Sequence, residues 1–116
     1  MSNPSKAKGD RAELEVQGWF REHLGVPARR ALGAGRKDDV GDISGVPGTV
    51  ISVANYADLD RAVREKLPDL ERQQLNAGAE FAAMFCRRRG GSYVVVLTPE
   101  MFARLWREAQ PLKEAA

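Results

Sequence analysis

Cysteine and histidine are nearly missing from this chain of 116 residues, with one of each, Cys86 and His23. A single cysteine excludes an intrachain disulfide, and its place in the apolar run Phe81 to Cys86 marks a buried structural thiol in a reducing, intracellular setting. A single histidine excludes a His-based metal site or a Ser-His triad within one copy, which leaves His23 for packing or for charge at a helix end. No apolar stretch approaches the ~20 residues that cross a bilayer, and the start Met1-Ser2-Asn3-Pro4-Ser5-Lys6 has no apolar signal core. The expectation is a soluble cytoplasmic protein with no membrane partner. What remains, 43% apolar residues, suits one compact domain that folds without metal or disulfide staples.

Charge is small in sum, +2, but uneven along the chain. Residues 1–37 hold eight Lys/Arg against four acids, residues 38–80 four against nine, and residues 81–116 six against three. If the two basic thirds share a face, they form a phosphate-binding surface beside an acidic centre, a layout common in enzymes that cut nucleic acid. Ordinary solvated charge explains the same counts.

Residues 1–7 are small and polar and read as a flexible arm. Ala12, Val16, Trp19/Phe20 and Leu24 recur every three to four residues, which predicts an amphipathic helix from Lys8 to Leu24, stopped by Gly25. Glu13 falls at the edge of its buried stripe. Gly33, Gly35, Gly41, Gly45, Pro47 and Gly48 then punctuate short strands at Arg29 to Leu32, Asp42 to Ser44 and Thr49 to Val53, the last two forming a hairpin through Val46-Pro47-Gly48. Leu59, Val63, Leu67, Leu70, Gln74 and Ala77 keep helical spacing, with Asn76-Ala77-Gly78 as the cap; Pro68 either kinks this helix or starts it afresh. Phe81 to Cys86 and Tyr93 to Leu97 read as buried central strands. Thr98-Pro99-Glu100 opens a final helix carrying Met101/Phe102 and Leu105/Trp106. The order α-βββ-α-ββ-α is of the α/β class, with a domain over residues 8–108 and a tail over 109–116.

Several segments carry a resemblance. Lys8-Gly9-Asp10-Arg11-Ala12-Glu13, the hairpin Gly41-Asp42-Ile43-Ser44-Gly45-Val46-Pro47-Gly48-Thr49-Val50-Ile51, Asn76-Ala77-Gly78-Ala79 and Arg87-Arg88-Arg89-Gly90 together resemble small Holliday junction resolvase-like proteins of actinobacterial phages, within the PD-(D/E)XK nucleases. The resemblance spans about residues 8 to 106. It implies a restriction-endonuclease-like fold with a mixed central sheet of about five strands flanked by helices, in the cytoplasm of a bacterial host cell. It also implies a homodimer acting on branched DNA, with Mg²⁺ or Mn²⁺ as cofactor.

In such nucleases an acid on the first helix, an aspartate opening the hairpin, and an E-x-K unit on the next strand bind metal and activate water. Magnesium needs hard oxygen ligands, and alternation along a strand points residues i and i+2 to one side, so that Glu and Lys meet at the metal. By that resemblance Glu13 and Asp42 are the metal ligands. The E-x-K positions fall on Ser52 and Ala54, which supply neither carboxylate nor ammonium, so the resemblance implies a protein impaired or inactive in hydrolysis, whether the two groups were lost by design or by descent. A naturally degenerate, nonenzymatic module that binds DNA or protein is the alternative.

The remaining candidates follow from position. Gln74 lies on the inward stripe of the second helix, with Gln73 its neighbour, and glutamine there accompanies the resolvase-like site. Arg29, Arg30, Arg36, Lys37, Arg87, Arg88 and Arg89 are the DNA-backbone candidates. Asp38, Asp39 or Glu71 could supplement Asp42, and Lys66 could replace the lost lysine. Trp19, Phe20, Phe102, Leu105 and Trp106 read as core or dimer interface rather than base-stacking groups.

Overall fold

The computed structural model describes residues 4–31 and 41–111. Its elements are α1 (Pro4–Leu24), β1 (Arg29–Arg30), β2 (Ile43–Ser44), β3 (Thr49–Ala54), α2 (Leu59–Ala77), β4 (Phe81–Arg87), β5 (Tyr93–Val96) and α3 (Pro99–Ala109). The strands form one mixed sheet in the order β1-β2-β3-β4-β5. Only β3 and β4 run parallel, with Ala54 beside Cys86 at their carboxyl ends, and α2 is the crossover this pairing requires.

Alternation along the strands splits the core between the two faces of the sheet. On one face Ala12, Val16 and Phe20 of α1 pack against Ile51, Val53 and Phe85. On the other, Ala62 and Leu70 of α2 and Met101 of α3 pack against Val50, Ala54, Met84 and Cys86. Burial of each large aliphatic side chain contributes about 1.5–3 kcal/mol, and this packing rather than helix propensity holds α2 together across Pro68. The helix neither stops nor restarts there.

Local chemistry sets the ends of the later helices. The Asp58 side chain accepts the Asp60 N–H at 3.0 Å and Thr98 Oγ1 accepts the Met101 N–H at 3.2 Å. Gly78, at φ 60°, closes α2 by donating to the Leu75 and Gln74 carbonyls. After β2, Gly45 adopts φ +86° so close to Pro27 that a Cβ would lie 2.3 Å from the Pro27 carbonyl oxygen, so only glycine fits.

Three expectations need correction. The first helix begins at Pro4, four residues before Lys8, so residues 4–7 are helix rather than arm. The first strand is confined to Arg29–Arg30, and Leu32 lies outside the described residues. Among the described residues the Tyr93 strand is an edge, not a centre: β5 pairs with β4 alone, and its apolar side chains are only partly covered, with Val95 exposed. A continuous apolar run signals two covered faces, but it carries no information about whether a further strand pairs beyond it. No helix among the described residues is long and apolar enough to cross a membrane.

Candidate functional site

Antiparallel pairing of β2 with β3 sets Asp42 directly against β3. Its N–H donates to the Ile51 carbonyl at 2.8 Å, and its Oδ2 accepts the Val53 N–H at 2.8 Å and the Ser52 hydroxyl at 3.4 Å. Asp42 and Ser52 are therefore in contact across the hairpin. Ser52 and Ala54, two residues apart on the α2 face of the sheet, are each 1% exposed.

Glu13 reaches the same region from α1. Its Oε1 accepts from Arg30 Nε at 3.0 Å, and the other arm of Arg30 pairs with Asp10. Burial raises the Glu13 carboxyl above its ordinary value, the negative charges of Asp42 and Asp10 add to this, and Arg30 opposes it. Glu13 and Asp42 are thus close enough to repel, as two carboxylates of one metal site would be, but a guanidinium rather than a cation neutralises Glu13. Magnesium takes near-octahedral oxygen ligation. Among the described residues no group of three His, Cys, Asp or Glu could hold a metal ion. With one acid held by Arg30 and Ser52 supplying only a neutral hydroxyl, this donor set does not fit a divalent cation. Asp38 and Asp39 lie outside the described residues.

A cleft of about 540 Å³ opens at the carboxyl end of β3, lined by Lys8, Glu13, Ala54, Tyr56, Arg61 and Lys66 among others. Asn55 Nδ2 donates to the Lys8 carbonyl at 2.9 Å, tying the early turns of α1 to the end of β3. The Arg61 guanidinium covers the Tyr56 ring at 5.5 Å from its centroid. Lys8 and Lys66 have no carboxylate partner among the described residues. Burial raises the Cys86 thiol, and the positive charge of Lys66 opposes this.

The other anticipated residues divide. Arg88 and Arg89 are exposed in the turn after β4, at the same end of the sheet as the cleft. Arg87 is engaged: its Nε donates to Glu15 Oε1 at 2.8 Å, and the Tyr93 hydroxyl donates to the same oxygen at 2.6 Å. Those two hydrogen bonds hold Glu15 below the usual carboxylate range, while burial followed by the Glu15 contact raises Tyr93. Arg30 is engaged by Glu13 and Asp10, and Arg29 is exposed on the opposite edge strand β1. Arg36 and Lys37 lie outside the described residues.

Gln74 is not brought to the site. Its amide donates to the Ala79 and Glu80 carbonyls, each at 3.2 Å, so it closes the end of α2 at the amino end of β4. Glu71 lines a separate pocket with it. The buried member of the glutamine pair is Gln73, at 5% exposure, because helical rotation at the end of α2 turns position 73 under the sheet. Of the aromatic candidates, Phe20 is core, whereas Trp19, Phe102 and Trp106, with Leu105, are exposed. His23 stacks on Trp19 with ring centroids 5.1 Å apart, a packing role as anticipated.

Sequence reasoning missed Lys8, Tyr56 and Arg61 as cleft residues. Lys8 stood inside the helix-opening motif but was taken for helix start alone. Tyr56 and Arg61 carry no periodic signal, since only the chain reversal after β3 brings them to the cleft. Comparison with protein-family models, curated protein sequences and solved structures returns no match.

Proposed function

We propose that this chain is a DNA-binding protein on a restriction-endonuclease-like framework, akin to the Holliday junction resolvase-like nucleases, that grips the phosphate backbone without hydrolysing it. The observation that carries this reading is the cleft beside Ala54, where a catalytic lysine would stand, lined by Lys8 and Lys66, neither with a carboxylate partner among the described residues. Arg88 and Arg89 extend the positive charge around the carboxyl ends of β3 and β4, the end of a parallel pair where ligands gather in α/β sheets. Ser52 and Ala54 account for the missing hydrolysis, because neither ligates metal strongly nor orients water.

The test is fluorescence anisotropy with four-way junction, duplex and single-stranded DNA in EDTA across a salt series. If Lys8, Lys66, Arg88 and Arg89 each neutralise one phosphate, log K falls with log salt at a slope of roughly −3.6 on duplex. Affinity that ignores salt, or no binding at low salt, sinks the proposal. A homodimer that offers two clefts to a branched substrate is part of the same reading, and sedimentation with and without junction tests it. A protein-binding module is the second reading, favoured by the exposed stripe Phe102, Leu105 and Trp106 on α3.

A further inference from the structure

Backbone phosphates of a duplex sit on the outside of a convex rod, whereas the charges at the end of β3 sit inside a concavity. A recess of about 540 Å³ falls in the range of small-ligand sites. It is a half-open recess, large enough for a terminal nucleotide. Its two lysines also differ from its arginine. Arg61 is held by Glu65, as Arg30, Arg64, Arg72 and Arg87 are held by their own carboxylates, while Lys8 and Lys66 have no carboxylate partner among the described residues. Two compact ammonium groups balance a dianion better than the single charge of a phosphodiester, and a phosphate monoester carries close to two charges at pH 7. The Tyr56 ring in the same wall supplies a flat surface for a base or sugar next to that phosphate, shared with Arg61.

Resting on the DNA-binding reading, we propose that this cleft is a site for a phosphate monoester, held between Lys8 and Lys66, so that the protein recognises the phosphorylated end of a nucleic-acid strand. The binding is charge recognition and needs no metal.

Anisotropy with single strands of one sequence tests this, bearing a 5′-phosphate, a 3′-phosphate or hydroxyls at both ends, in EDTA at moderate salt. The expected result is about tenfold tighter binding of one phosphorylated strand than of the hydroxyl-ended strand, with inorganic phosphate competing only against the former. Lys66→Met and Lys8→Met, each verified as folded by its melting curve, should each bring the phosphorylated strand to within about threefold of the hydroxyl-ended one. Arg72→Met, in an exposed pair with Asp69 away from the cleft, should preserve the preference. Equal binding of all three strands, or a preference that survives both lysine variants, overturns the site while leaving salt-dependent DNA binding intact. Binding of a nucleoside monophosphate with no affinity for any strand supports the monoester site and overturns the nucleic-acid reading.

Discussion

Replacing Ser52 by glutamate places a carboxylate where the serine hydroxyl now lies 3.4 Å from Asp42 Oδ2, in a position 1% exposed. Two carboxylates about 4 Å apart repel by about 4 kcal/mol at an effective dielectric constant near 20. Protonation sets a similar ceiling, because keeping a glutamate of normal pKa ~4.3 neutral at pH 7 costs about 3.7 kcal/mol. Ser52→Glu should therefore lower stability by about 4 kcal/mol in EDTA, a fall of the order of 15 °C in Tm for a domain this size. The pH dependence has a definite sign. The new carboxyl has a folded pKa above its unfolded value, so the difference from the parent disappears below about pH 4.3 and grows as pH rises through the folded pKa. Adding Ala54→Lys should recover part of the loss, and millimolar Mg²⁺ should recover more, since about 2.7 kcal/mol returns at a hundredfold excess over Kd. Thermal melts of the single and double variants in EDTA and in Mg²⁺ measure this, followed by cleavage of junction, flap and duplex DNA. Equal melting in EDTA and Mg²⁺ refutes the placement of Ser52 at a metal-ligand position. A metal-stabilised double variant that leaves all three DNAs intact refutes kinship of mechanism but not the geometry.

Tyr93→Phe removes a hydroxyl that donates to Glu15 at 2.6 Å; with Glu15 partly exposed the loss should be about 1 kcal/mol by urea unfolding, and a double-mutant cycle with Glu15→Gln should show coupling. Because Glu15 is held below its ordinary value, its contribution is present above that value and is lost as pH falls through the folded pKa, which Glu15→Gln should abolish. Leu70→Ala empties a fully buried position between α2 and the sheet and should cost about 2–5 kcal/mol in the same assay. Gly45→Ala sets a methyl against the Pro27 carbonyl at positive φ and should lower Tm by several degrees or prevent folding, whereas Gly48→Ala, also at positive φ but with open space around it, should be the milder change. Gln74→Ala should lower Tm and leave DNA affinity unchanged; weakened affinity at unchanged stability would restore the residue to the site.

Periodicity alone was enough to order the helices and strands of this chain, because amphipathic spacing at Ala12, Val16 and Phe20 and apolar runs such as Phe81 to Cys86 record burial in one dimension. Caps were equally legible, since Asp58, Thr98 and Gly78 act on backbone groups within a few residues. The carboxylate of Asp42 could be placed beside β3 for the same reason: a tight hairpin fixes its register locally. Sequence did not determine which charges are free. Arg30 and Arg87 looked the same as Arg88 and Arg89 along the chain, yet α1 brings Asp10, Glu13 and Glu15 against the first two and leaves the others exposed. Nor could it separate Gln73 from Gln74, where one step of helical rotation exchanges burial for a capping role, or place Tyr93 on an edge, since an apolar run does not record which strands pair beside it. The cleft belongs wholly to the tertiary structure: Lys8, Ala54 and Lys66 come from three elements, and only the parallel crossover and the seating of α1 across the strand ends bring them together.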